Sequence, residues 1–160
     1  MGKHSSRRLI SLVIAALAAV AQPAAAACSL DKVLVRGDFG QARFTVEVAD
    51  TADERAQGLM NVPEMPTMTG MLFVYERPHQ VAFWMHNTLI PLDMIFADET
   101  GTITRIHPNA IPLDRTPIDG GAQVQYVLEI NGGLAGRLGM AEGDVLQHPS
   151  IGENAALPCN

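Results

Sequence analysis

Residues 70–96 read GMLFVYERPHQVAFWMHNTLIPLDMIF. This stretch holds the only Trp of the chain and three of its five Phe. Two breaks divide it into three apolar runs: Glu76–Gln80, and His86–Thr88 followed by Pro91. The spacing predicts three strands, Met71–Tyr75, Val81–Met85 and Leu92–Phe96, arranged as a meander. Suppose the last two pair across His86–Pro91 with Met85 opposite Leu92. Phe83 then faces Met94 and Val81 faces Phe96, and opposed residues share a face. That face is wholly apolar and belongs in a core. The other face carries Trp84, His86, Ile95 and Asp93, with Trp84 opposite Asp93. A one-residue slip would move Asp93 to the core side, so the pattern supports this register.

The second face suggests chemistry. Trp84 would form a flat apolar floor, with His86, Asn87 and Asp93 as polar groups at its rim. These four residues are the candidate ligand-binding set, suited to a small polar molecule such as a sugar. The plainer alternative has the Trp84 indole N–H bonding Asp93, while Asn87 and Thr88 shape the turn. Two other function classes have some support. Met65, Met68 and Met71 recur every three residues, with Met60, Met85 and His86 expected nearby, and thioether and imidazole ligands suit Cu(I). Against this, Met is a common core filler. Paired carboxylates, Asp93 with Glu129 or Glu47, would suit a hydrolase using general acid–base chemistry. Ser29 and Ser150 are the only serines beyond residue 27, and neither sits in a strand-to-helix elbow, which argues against a serine hydrolase. The histidines lack zinc-ligand spacing. No cofactor is expected.

Outward from this stretch, the chain opens with Lys3, Arg7 and Arg8, an apolar run Leu9–Ala21, and alanines before Cys28. This is the pattern of a secretory signal peptide over residues 1–27, and the run is shorter than the roughly 20 residues of a membrane span. The expected location is therefore periplasmic or secreted. Residues 28–160 are long enough for one β-sandwich domain and too short for two ordinary ones. Without the three early basic residues, 8 Lys and Arg remain of 11, against 17 Asp and Glu, a net charge of −9. Such a chain is poorly suited to nucleic acid. The expected partner is a small molecule or a cell-envelope ligand. Contact with a membrane is expected only through the signal peptide or a lipid on Cys28.

Cys28 and Cys159 are the only cysteines. Domain termini often lie close together, and an exported chain meets an oxidising compartment, so a Cys28–Cys159 disulfide is expected. Acylation of Cys28 is the competing reading, although Ala25 stands where lipoprotein signals carry Leu, and Cys159 would be left unpaired.

The remaining segments predict short elements. Lys32–Arg36 reads as a strand. Gln41–Ala49 alternates apolar and polar residues as a half-buried strand does. Thr51 with Glu54 is a capping-box signature, and Gly58 suits a helix exit, giving a helix Ala52–Gln57. Thr102–His107 and Val124–Ile130 read as strands flanking a loop Pro108–Gly121. Leu134–Leu138 reads as a helix and Val145–His148 as a last strand. The total is about eight strands and two short helices. Short connections favour an antiparallel β-sandwich or jelly-roll-like barrel, hence a mainly β fold.

Several segments together resemble domain of unknown function family 192: Gly58-Leu59-Met60, Gly70–Phe73, Phe83–Phe96 with its Asn87-Thr88-Leu89-Ile90-Pro91-Leu92-Asp93 run, Val127–Gly133, and Leu138-Gly139-Met140 followed by Gly143-Asp144. The likeness spans about Gln41 to Val145. The family more often carries a basic residue where this chain has His86, and Met65 and Met68 lie outside its pattern. The resemblance implies a mostly β sandwich of jelly-roll type, and it implies no activity because the family is uncharacterised.

Overall fold

The computed structural model describes residues 28–159; the expected signal peptide lies outside them. Seven strands form one curled sheet: β1 (Lys32–Gly37), β2 (Gly40–Ala49), β3 (Thr69–Phe83), β4 (Leu92–Ala97), β5 (Ile103–Ala110), β6 (Ile118–Asn131) and β7 (Val145–Gln147). Their order across the sheet is β5-β4-β6-β3-β2-β1-β7. All pairings are antiparallel except β2 with β3. The two edges approach each other at one end, where Thr102 bridges to Val145 and the Leu146 N–H donates to the Gly101 carbonyl at 2.8 Å. The sheet is thus a half-barrel, and the mainly β expectation holds.

The meander does not form as read. Glu76–Gln80 lies inside the 15-residue strand β3 and does not turn the chain. Register shifts between Val74 and His79, and on to Ala82, absorb the Pro78 segment. A bulge is where a strand tolerates a residue with no N–H to give. Nor does β4 pair with the end of β3. It lies between β5 and β6, with Asp93 opposite Ile130 and Met94 opposite Glu129. Trp84 therefore does not face Asp93. The expected loop Pro108–Gly121 is also shorter, because β5 runs to Ala110 and β6 begins at Ile118. Position 120 of β6 has no room for a side chain, because a Cβ there would overlap the Phe96 ring and the Val81 side chain.

Two apolar clusters lie on opposite faces of the sheet. The inner one, within the curl, includes Val35, Phe44, Leu72, Ile95, Leu128, Ile130 and Leu146. The outer one includes Phe73, Val81, Met85, Leu92, Met94, Phe96 and Val127. The apolar face expected from Val81, Met85, Leu92, Met94 and Phe96 is therefore real, although its strands are not neighbours. β6 is central and buried on both faces from Tyr126 to Ile130.

Two short helices complete the fold. α1 (Ala52–Gln57) carries the expected capping box: the Thr51 hydroxyl accepts from the Glu54 N–H at 3.3 Å, and the Glu54 carboxylate accepts from the Thr51 N–H at 3.0 Å. α1 buries none of its residues. α2 (Leu134–Leu138) packs on the inner cluster through Leu134 and Ala135. A disulfide joins Cys28 to Cys159. Nearby, His148 ties the two ends together: its Nδ1 accepts from the Ser150 N–H at 3.1 Å, and its Nε2 donates to the Leu30 carbonyl at 3.0 Å. Among the described residues no helix is long and apolar enough to cross a membrane.

Candidate functional site

The outer face of the sheet is only partly covered. α1 and the residues that follow it, Gly58–Met60, stand off from β3 and leave an open cleft of about 220 Å³. Phe73, Tyr75 and Phe83 of β3 line it, with Trp84, His86 and Thr88 at one side and Glu129 of β6. Gly58 closes α1 at φ 47°, and a Cβ there would lie 3.3 Å from the Phe73 ring. A glycine thus lets the helix exit pass close to the aromatic wall.

Arg55 pins α1 to the sheet. Its Nη1 donates to the carbonyls of Asp50 and Val74, and its Nη2 meets the Glu76 carboxylate at 3.2 Å. The guanidinium also lies 4.9 Å from the centroid of the Tyr75 ring. Arg55 is mostly buried and Glu76 is exposed. The carbonyl bonds and the ring stacking therefore hold Arg55 more than the ion pair does, since exposed pairs add little.

Glu129 is the unusual group. It is 4 % exposed, and no hydrogen bond from a described protein group acts on its carboxyl. Burial alone pushes its carboxyl up to about 8, so it is largely protonated at neutral pH. Tyr75 nearby is also raised above its ordinary value, chiefly by burial. The Nδ1 of His86 is buried without a partner among the described residues, and its ring lies 5.1 Å from that of Trp84. Trp84 is 52 % exposed.

Of the four residues expected to form the site, the structure brings Trp84 and His86 together at the cleft. Asn87 adopts φ 53° in the turn, and its carbonyl accepts from the Asn61 N–H at 2.8 Å, so it shapes the loop. Asp93 projects to the opposite face and is fully buried. Its Oδ1 accepts from the N–H groups of Asn109 and Gly133, and its Oδ2 from that of Ala135, each at 2.7 Å. Asp93 thus anchors the β5 end and the start of α2 to β4. The expected pairing of Asp93 with Glu129 does not occur, because their side chains leave opposite faces of neighbouring strands. Glu47 and Glu129 share a face, but Met71 stands between them in the register. Glu129 was visible in the sequence as an acid within the apolar run Val127–Ile130, and that mismatch is its signal.

The methionines are dispersed. Met71, Met85 and Met94 are buried in the outer cluster, Met60 lines the cleft, Met65 lines a separate groove with Glu47 and Glu64, and Met68 is exposed. Among the described residues no three His, Cys, Asp or Glu side chains are placed to hold a metal ion.

This constellation, a half-barrel with an acid-floored cleft under a short helix, belongs to a fold with known relatives. Residues 34–148 match the family DUF192, described as an uncharacterized ACR, and the chain belongs to that family. A protein of unknown function from Novosphingobium aromaticivorans DSM 12444 is 43 % identical, with a TM-score of 0.71 over 72 % of this chain and 82 % of that one. A protein from Sinorhizobium meliloti 1021, described as a candidate transcription regulator, is 39 % identical, with a TM-score of 0.73 over 78 % of this chain and 97 % of that one. No curated protein matches the chain.

Proposed function

We propose that this protein is an exported binding module for a small molecule, held in the cleft between α1 and the outer face of the sheet. Glu129, Trp84 and His86 are the binding groups. The observation that carries the reading is the Glu129 carboxyl, buried without a protein partner on the wall of an open cleft. A polar group withdrawn from water and left unpaired costs roughly 1–3 kcal/mol. A fold that places such a group beside an exposed Trp offers both to something from solution. The cleft is smaller than the roughly 300–1,000 Å³ of drug-sized sites, so the ligand is small.

Export is supported by the Cys28–Cys159 disulfide and by the signal-peptide pattern of residues 1–27. A net charge of −9 for residues 28–160, from 8 Lys and Arg against 17 Asp and Glu, does not suit a DNA-binding surface. The regulator description of the Sinorhizobium protein is therefore not carried over.

Trp84 is the only Trp, so its emission reports on the cleft directly. Titration with monosaccharides, alkylammonium salts and short carboxylates should change Trp84 fluorescence for one of these classes. The change should disappear in Glu129→Leu. If no class perturbs Trp84 or the backbone amides of the cleft, the binding reading is wrong.

A further inference from the structure

Building on the cleft as a binding site, we propose that its ligand is a small organic cation, whose ammonium group pairs with Glu129 and whose carbon substituents pack on the aromatic wall. Three observations point to this class. The first is the charge inventory. Arg55 and Glu129 are the only Asp, Glu, Lys or Arg side chains lining the cleft. Arg55 is already engaged by two carbonyls, Glu76 and the Tyr75 ring. Glu129 is engaged by nothing among the described residues. The unspent charge-bearing group is an acid, and its complement is a cation.

The second observation is the wall itself. Phe73, Tyr75, Phe83 and Trp84 all line the cleft. Aromatic faces attract cations, and desolvated pairs are the strong ones. The third is that several of the cleft's polar side chains are already engaged within the protein. A polyol needs several hydrogen-bond partners at once. Beside Glu129 the cleft offers the Tyr75 hydroxyl, the Trp84 indole N–H and the His86 ring, while the Gln57 amide is directed to the Met60 carbonyl at 3.4 Å and the Thr88 hydroxyl to the His86 carbonyl. One charged contact within an aromatic enclosure fits one ammonium group better than a ring of hydroxyls.

Such binding is linked to a proton. With its carboxyl pushed up to about 8 in the empty cleft, Glu129 must release its proton to pair with the cation. The titratable groups that surround it are Tyr75 on β3, Arg55 on α1 and His86 after β3. Glu47 on β2 and His107 on β5 stand further along the same register row. Tyr75 is raised, so it stays protonated through the relevant range.

The probe is choline, whose charge does not titrate. Its association constant should rise about 50-fold between pH 6 and pH 8 and about twofold above that, following the ionised fraction of Glu129. Calorimetry at pH 6.5 in two buffers of different ionisation enthalpy should show about one proton released. The slope should persist in His86→Gln and vanish, with binding lost, in Glu129→Gln. The neutral isostere of choline, with carbon in place of nitrogen, should not bind. Flat pH dependence in the wild-type protein, retained binding in Glu129→Gln, or equal binding of the isostere would overturn the cation assignment. If choline fails while a neutral sugar moves Trp84, the binding site stands and the cation falls. If neither moves Trp84, both fall.

Discussion

Asp93 and Glu129 are two buried acids on paired strands, one register step apart, and they have opposite surroundings. Asp93 leaves β4 toward the inner face and collects three backbone N–H groups. Glu129 leaves β6 toward the outer face, shares the cleft with Phe73 and Tyr75, and collects none among the described residues. A carboxylate ringed by N–H donors is a structural joint, because each donor would otherwise be a buried orphan. A carboxyl with no donor serves no other part of the fold. The pair shows that burial by itself does not identify a functional acid; what matters is what its oxygens touch.

The sharpest way to break this contrast is Asp93→Ala. It strands three N–H groups, at the Gly133–α2 corner and beside β5, and should cost about 3–5 kcal/mol of stability by denaturant unfolding. An unchanged unfolding midpoint would show that Asp93 is not a joint. Glu129→Gln should act in the other direction. In the wild-type protein the folded state holds a proton on Glu129 that the unfolded chain releases near its ordinary value of 4.5, up to about 8. Protons bound in excess by the folded state make stability fall as pH rises through that window. Gln should remove this slope and leave the variant more stable by about 1–3 kcal/mol at pH 7, with a wider margin at pH 8. A wild-type stability that rises from pH 6.5 to pH 8 relative to Glu129→Gln would refute the uncharged, unpartnered acid. The comparison belongs above pH 6.5, because buried His148 is depressed and contributes the opposite slope below it. The smallest effect should come from Trp84→Ala. Its side chain is half exposed, so the unfolding midpoint should shift by less than about 0.5 kcal/mol equivalent. A loss of several kcal/mol would make Trp84 a core residue and remove it from the binding set.

Local periodicity was readable and long-range pairing was not. The alternation of Ala42, Phe44, Val46 and Val48 marked β2, and Thr51 with Glu54 marked α1 to the residue. The two cysteines at the ends marked the disulfide. Glu76-Arg77-Pro78-His79-Gln80 looked like a turn because its composition is that of turns. It lies within β3 because bulges let the strand continue past Pro78 while β6 supplies a partner on either side. The error in the site followed from the error in pairing. Strands that follow one another in sequence are not neighbours in space here, so Asp93 does not lie beside Trp84. β6, inserted between β3 and β4, separates them. Face assignment survived for Val81, Phe83, Met85, Leu92, Met94 and Phe96, because it depends on the period-two alternation within each strand. It failed for Trp84 and His86, which follow the end of β3 and line the cleft on the same side as Phe83. The sequence presents Glu129 only as a carboxylate to pair with Asp93, because an acid in an apolar run has no local signature of what its oxygens meet.

The bond between Cys28 and Cys159 spans 131 positions and encloses every described residue. In covalent terms the domain is a closed loop. A protease that cuts once in the exposed segment around Ile111 and Leu113 would leave a single molecule of unchanged chain mass apart from one added water. Two fragments would separate only after reduction. In a compartment rich in proteases, a single nick would therefore not by itself shed any part of the domain.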